Sequence, residues 1–237
     1  MNLFIDKHIL YPLKDFLFVS SCFHCGNRLS DGERRLCSAC WSLLKEIGEN
    51  DYTVQVLKGR FKDGGVVDDF AALYYFEKGQ VLQSLAHSLK YEEVTSFGVG
   101  LGKKLGEKIK TQNKQMDFVI PVPLNKKKER ERGYNQSDYI AKGVSQILKI
   151  PVLTDVVHRE KYTVTQTHLN AQERKENVAD AFSISGAAKI KEKTILIVDD
   201  VITTGSTIQE VSRTLKEAGA AKIIVGSAGL AMLGEDV

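Results

Sequence analysis

The chain has little charge of one sign to spare. Its 33 lysines and arginines face 30 aspartates and glutamates, a net charge of +3 over 237 residues. A global electrostatic pull toward nucleic acid is therefore absent, and any such attraction must be local. No stretch approaches the roughly 20 consecutive apolar residues of a membrane span. The opening segment, 1–21, is moderately apolar, but Asp6, Lys7, Lys14 and Asp15 interrupt it. It lacks the basic-then-apolar order of a secretory leader and reads as a short amphipathic piece packed on the body. Repeats, low-complexity tracts and the Gly-x4-Gly-Lys-Ser/Thr spacing of a P-loop are missing as well. These absences lead to the expectation of a cytoplasmic globular protein with no membrane span, long enough for one large or two modest domains.

Cysteine is absent outside residues 22–40, where all four cysteines stand as Cys22-x2-Cys25 and Cys37-x2-Cys40. Two such knuckles suit a tetrahedral Zn²⁺ with four thiolate ligands, a closed structural shell with no position for a reacting water. Disulfides or redox pairs are the alternative, disfavoured in a reducing compartment. His24, inside the first knuckle, reads as a neighbour of the site and not a ligand. The segment is too short to bury a core, so the metal is expected to hold it folded.

A glycine- and charge-rich stretch, "KGRFKDGGVVDD" (58–69), follows and reads as a linker or boundary. It divides the chain into 1–60, with the cysteine module, and 66–237. Beyond it strands and helices alternate. "FAALYYF" (70–76), "DFVIPVPL" (117–124), "TILIV" (194–198) and "KIIVGSAGLA" (222–231) read as strands. Helical spacing is carried by Leu82, Leu85 and Leu89, by Leu101, Leu105 and Ile109, by Ile140, Val144, Ile147 and Leu148, and by Ile208, Val211 and Leu215. Gly219 is placed to end the last of these helices. Alternation with buried strands predicts an α/β fold with an open parallel sheet, whose ligands bind at the carboxyl ends of the strands.

Asp199 and Asp200 stand at such an end, followed by Thr203-Thr204-Gly205-Ser206-Thr207. One aspartate could simply cap the next helix. Two carboxylates followed by hydroxyls, a glycine and a helix start suit a sugar phosphate better. The carboxylates can grip a vicinal diol or Mg²⁺, and the loop with the helix N-terminus can take the 5′-phosphate.

The run "IVDDVITTGST" resembles the 5-phosphoribosyl-1-pyrophosphate (PRPP) motif of type I phosphoribosyltransferases. The four-cysteine N-terminus, "LKY" (89–91), "PVPL" (121–124), "RGYNQSD" (132–138) and "TVTQTHLNAQERKENVADAF" (163–182) narrow the resemblance to the ComF family of competence proteins. That family implies a type I phosphoribosyltransferase-like domain behind a zinc module. It implies Asp199 and Asp200 as the catalytic pair on the ribose hydroxyls, directly or through Mg²⁺, and Thr203, Thr204, Gly205, Ser206 and Thr207 on the 5′-phosphate. "PVPLNKK", with Pro123 and Leu124, resembles the pyrophosphate loop. Residues 163–182 resemble a closing loop in which Arg174 would meet pyrophosphate. Asn135 and Tyr134 belong to the motif distinctive of the family, though one could be a plain helix cap and the other a core residue. Purine-salvage enzymes often carry an aspartate where Thr203 stands, and Thr203 cannot act as a base at neutral pH. The departure leaves enzyme, regulator and PRPP sensor all open.

"NKKKERERGYNQ" clusters Lys126, Lys127, Lys128, Arg130 and Arg132 beside Tyr134. It could be a solvated face. It could equally be a phosphate strip with a stacking ring, suited to single-stranded nucleic acid and extended by Arg28, Arg34 and Arg35. The family resemblance implies single-stranded DNA handling in natural transformation, with a competence helicase as partner.

Overall fold

The computed structural model describes residues 21–33, 36–48, 50–77, 80–82, 94–160 and 180–231. Arg174 and most of the 163–182 stretch, "LKY", Leu85, Leu89, Arg34, Arg35 and the N-terminal segment lie outside the described residues.

Four strands form a parallel sheet: β1 (Asp69–Phe76), β2 (Phe118–Pro121), β5 (Thr194–Ile202) and β6 (Lys222–Ala231), in the order β1-β6-β5-β2. Their apolar runs are continuous because both faces are covered. Within β5, Ile195 and Ile197 join one core with α2 (Tyr52–Asp63) and α6 (Ser206–Glu217). Leu196 and Val198 join the other, with α3 (Val94–Lys110) and α5 (Gln136–Leu148). This two-sided burial is the period-2 alternation of a strand inside a layered α/β protein.

The connections show why these residues form these elements. Asn125 caps α4 (Lys126–Arg132) by accepting from Lys127 N–H at 2.9 Å, and Gly133 ends it at φ 80°. Asn135 caps α5, accepting from Ser137 N–H at 3.3 Å. As expected, Gly219 closes α6: it sits at φ 99°, and its N–H reaches the Lys216 carbonyl at 2.9 Å. A short antiparallel ribbon, β3 (Val157–Arg159) with β4 (Phe182–Ile184), packs on the α6 side of the sheet.

Two expectations are corrected. The stretch read as a linker is helical through Asp63 and turns only at Gly64 and Gly65. Leu57 and Phe61 reach the sheet from α2, and this tertiary burial outweighs the local glycine and charge signal. Strand β5 runs past "TILIV" through both aspartates to Ile202. There β6 still pairs with it, Asp199 opposite Ser227 and Ile202 opposite Leu230.

The cysteine module, with a short helix α1 (Ser38–Ser42), is docked on the α3 side. Leu36, Cys37 and Cys40 share a core with Phe97 and Leu101, and Trp41 lies 5.7 Å from the Phe97 ring. Residues 45–47 then run antiparallel along the outer edge of β1, with Ile47 N–H on the Leu73 carbonyl at 2.8 Å and Tyr75 N–H on the Lys45 carbonyl at 3.0 Å. No helix among the described residues is long and apolar enough to cross a membrane.

Candidate functional site

The site is built where β2 ends alongside β5, which itself runs on to Ile202. Val122 N–H bonds the Val198 carbonyl at 2.9 Å, so the chain leaving β2 passes directly beside Asp199. The first turn of α5 is fastened over the same spot. Asn135 Nδ2 donates to the Val122 carbonyl at 3.0 Å and to Asp138 Oδ1 at 2.9 Å, and Ser137 Oγ donates to Asp199 Oδ1 at 3.1 Å. Asn135, Gln136 and Ser137 are buried. The "RGYNQSD" motif thus caps its own helix and reaches the acidic pair at once.

Asp199 and Asp200 are half-buried and adjacent. Asp200 N–H donates to Asp199 Oδ1 at 2.9 Å, and Val201 N–H to Asp200 Oδ1 at 2.7 Å. Burial, and then the neighbouring Asp200 charge, hold the Asp199 carboxyl well above the ordinary range. A site that crowds two carboxylates in this way relaxes when it gains a diol or a divalent cation. The hard oxygen donors fit Mg²⁺ in kind.

Immediately beyond the pair, Gly205 stands at φ 80° as the N-cap of α6, which has no side-chain cap. A Cβ at Gly205 would lie 2.9 Å from Phe61 Cε1, so glycine is required by conformation and by space. Thr204 Oγ1 and Ser206 Oγ are 3.0 Å apart, and Thr203 and Thr207 are half-buried beside them. The helix start, where Gly205 offers no side-chain cap, and the hydroxyls beside it are suited to an anion.

Residues 136–231, which include the acidic pair and this loop, match the phosphoribosyl transferase domain family. The chain is 31% identical over 218 residues to Competence protein F of Haemophilus influenzae, a match covering 86% of this chain and 94% of that one. The chain belongs to the ComF family. It is also 34% identical over 149 residues to the DNA utilization protein YhgH of Shigella flexneri, covering 61% of this chain and 65% of that one. Among solved structures it is similar to the allosteric regulatory enzyme of purine biosynthesis, with 25% identity, a TM-score of 0.40, and coverage of 56% of this chain and 26% of that one.

In this ComF-family chain the loop after β2 also borders the site. Pro123, Leu124, Lys126 and Asn135 line a cavity of about 110 Å³ together with Glu129, Asp138, His158 and Arg159. Lys127 is exposed on α4, Lys128 and Arg132 lie within the same helix, and Tyr134 packs edge-on against Tyr139 at 5.6 Å. Arg159 is the residue that sequence reasoning missed. Burial lowers its pKa and the Asp199 charge opposes the drop, so its guanidinium is within electrostatic reach of the acidic pair. It also lies 5.4 Å over the Phe182 ring. Nothing in "VVHRE" announces this. Ser137 and Asp138 stood in a motif singled out for its distinctiveness, without a role of their own.

The four thiols of the cysteine module come within 4.8 Å of one another. A tetrahedron with metal–sulfur bonds of about 2.3 Å has edges of roughly 3.8 Å. Cys25 Sγ and Cys37 Sγ are 3.7 Å apart, so the set fits a tetrahedral metal ion.

Proposed function

We propose that this ComF-family protein binds PRPP at the β5–α6 junction and serves DNA uptake in the cytoplasm by handling single-stranded DNA. The observation that carries the PRPP reading is the fastening of Asp199 by Ser137 beside the uncapped start of α6. One arm suits the ribose diol, the other the 5′-phosphate. In this reading Asp199 and Asp200 hold the diol or a Mg²⁺ ion, Thr203 to Thr207 hold the phosphate, and the loop at Pro123 and Leu124 faces pyrophosphate. Mg²⁺ would supply charge neutralisation for the leaving pyrophosphate. Arg174 is proposed as a further pyrophosphate partner. Cys22, Cys25, Cys37 and Cys40 hold a structural Zn²⁺, and the module 1–60 serves the phosphoribosyltransferase-like unit 66–237 as a contact surface. The DNA role rests on the relatives' names and on the lysines of α4. A competence helicase is the proposed partner.

Calorimetric titration with PRPP, with and without Mg²⁺, tests the site. Changing both Asp199 and Asp200 to Asn keeps their shape and removes their charge. It is expected to weaken binding by about 2–4 kcal/mol, the worth of two charged hydrogen bonds. Wild-type affinity in the double variant would overturn the reading. A second reading, an active phosphoribosyltransferase, is favoured by the small cavity that Pro123, Asn135 and Asp138 border at the first turn of α5.

A further inference from the structure

We propose that Asn135 and Ser137 are positioning residues that join the loop after β2 to the Asp199 carboxylate, so that pyrophosphate and ribose 5-phosphate strengthen each other's binding and the site favours intact PRPP over either part. In the PRPP reading above, on which this rests, that loop faces pyrophosphate and Asp199 serves the ribose diol.

One rung of the sheet is replaced at this point. Pro121 is in register with Val198, and Val122 N–H bonds the Val198 carbonyl at 2.9 Å. In a continuing parallel ladder the next bond would run from Asp200 N–H to the Val122 carbonyl. Asp200 N–H turns instead to Asp199 Oδ1 at 2.9 Å, and the Val122 carbonyl takes Asn135 Nδ2 at 3.0 Å. Asn135 Oδ1 accepts from Ser137 N–H at 3.3 Å, and Ser137 Oγ donates to the same Asp199 Oδ1 at 3.1 Å. The bonds close a ring that runs through Val122, Asn135, Ser137 and Asp199 and returns along the backbone to Val198.

The ring is stiff. Val122, Asn135 and Ser137 are buried. The other hydrogen of Asn135 Nδ2 is held by Asp138 Oδ1 at 2.9 Å, so the amide is engaged at both hydrogens and at its oxygen. Turning it over would set its oxygen against two acceptors and its nitrogen against a donor. Asp199 Oδ1 holds two donors at once, which fixes the carboxyl plane. Opening any one bond would leave a buried polar group unpaired, which is costly. A shift of the loop at Pro123 is therefore carried to the Asp199 carboxyl.

Ligands that meet two ends of one such ring are linked. Whichever arrives first orders loop and carboxyl together, and the second finds its contacts already set. The linkage is reciprocal, each ligand raising the affinity of the other by the same factor. PRPP carries both parts and gains from both ends.

The test is calorimetric titration at fixed Mg²⁺ with ribose 5-phosphate, with pyrophosphate, and with each in the presence of the other. Wild type, Ser137→Ala, Asn135→Ser and the double variant are compared, and PRPP affinity is measured in parallel. Serine at 135 can still cap α5 but is too short to reach the Val122 carbonyl. Ser137→Ala removes one oxygen and keeps the N–H bond, so it reads the ring even where Asn135→Ser lowers stability. The readout is the ratio of two affinities on one protein, which a uniformly weakened site leaves unmoved. In wild type each ligand should tighten the other about 10-fold, within the usual range for coupled sites. The ratio should fall to about 1–2 in each single variant and no further in the double, since either cut opens the same ring. A Mg²⁺ ion shared by the two ligands would keep the full ratio in Asn135→Ser, and that result would overturn the proposal. An undiminished ratio in Ser137→Ala would overturn it too, as would partial losses that multiply in the double variant. The absence of any mutual effect in a wild type that binds PRPP would overturn the ring's role and leave the PRPP reading standing. A wild type that does not bind PRPP would sink both.

Discussion

Asp138 shows at a single residue how a site can work against the fold that holds it. A carboxyl whose folded pKa of about 6 exceeds its ordinary 3.8 binds protons more tightly in the folded state. Stability present below about pH 4 is then lost as pH rises through about 6, because the unfolded chain is the better home for the charge. The full shift corresponds to about 3 kcal/mol, and partial solvent access reduces this to about 1–2 kcal/mol. Asp138→Asn should therefore unfold at higher urea than wild type at pH 7.5, with the difference shrinking toward zero at pH 4. A variant no more stable at pH 7.5 would show that the carboxyl is well solvated. Asp199, which accepts from Ser137 and from the Asp200 N–H, is likewise raised first by burial and then, unlike Asp138, by the charge of an adjacent carboxylate, Asp200. At this scale the clustering of the four cysteines could be read directly, because their spacing carries it. Arg159 could not, because its importance comes from a fold that brings β3 to the end of β5.

Among elements, the tightest contact is between α3 and α5, and glycine makes it possible. A Cβ at Gly98 would lie 2.8 Å from Tyr139 Cβ, and one at Gly106 would lie 2.9 Å from Ile147 Cβ. At Gly102 it would land on the Ile140 carbonyl oxygen, and at Gly143 on that of Val99. Backbone cannot yield as a side chain can, so Gly102→Ala should cost about 3 kcal/mol, read as a lowered urea midpoint. Since α5 carries Asn135, Ser137 and Asp138, the same change should also weaken PRPP binding. Helix α4 poses a different question. Lys126 and Lys127 are exposed, and Lys126 also borders the cavity. Replacing Lys126, Lys127 and Lys128 with Gln should lower the salt dependence of single-stranded DNA binding by about 2 in log–log slope if all three touch phosphate. An unchanged slope with reduced PRPP affinity would assign the helix to the pyrophosphate side instead.

The molecule as a whole protects both edges of its sheet. Residues 45–47 run along β1, and residues 151–153 run along β2, with Leu153 N–H on the Val119 carbonyl at 2.8 Å. One edge is thus closed by the tail of the cysteine module, which couples the cysteine cluster to the sheet. Lys108 reinforces this by donating to the Ile47 and Ala72 carbonyls. About one zinc per chain is expected in reduced protein, and chelation or Cys40→Ser should lower the melting temperature. Trp41, the chain's one tryptophan, sits against Phe97 with Lys104 5.7 Å from its ring. Its emission should move to the red as the module lets go. Purified protein without metal, or unchanged Trp41 emission on chelation, would contradict this role.

The parallel α/β order, the strand and helix cores and the place of the acidic pair were legible in one dimension. Period-2 and period-3.6 burial, cap residues and motif spacing are local properties, written wherever the chain folds. The helical fate of 58–63, the extension of β5 to Ile202, the α3–α5 glycine contact and the meeting of Asp138, Arg159 and Asp199 were decided in three dimensions. Each depends on a partner far along the chain: Phe61 on the sheet, β6 opposite Ile202, Ile140 above Gly102, the ribbon beside β5. Burial by such a partner outweighs local preference, and no window of neighbouring residues contains it.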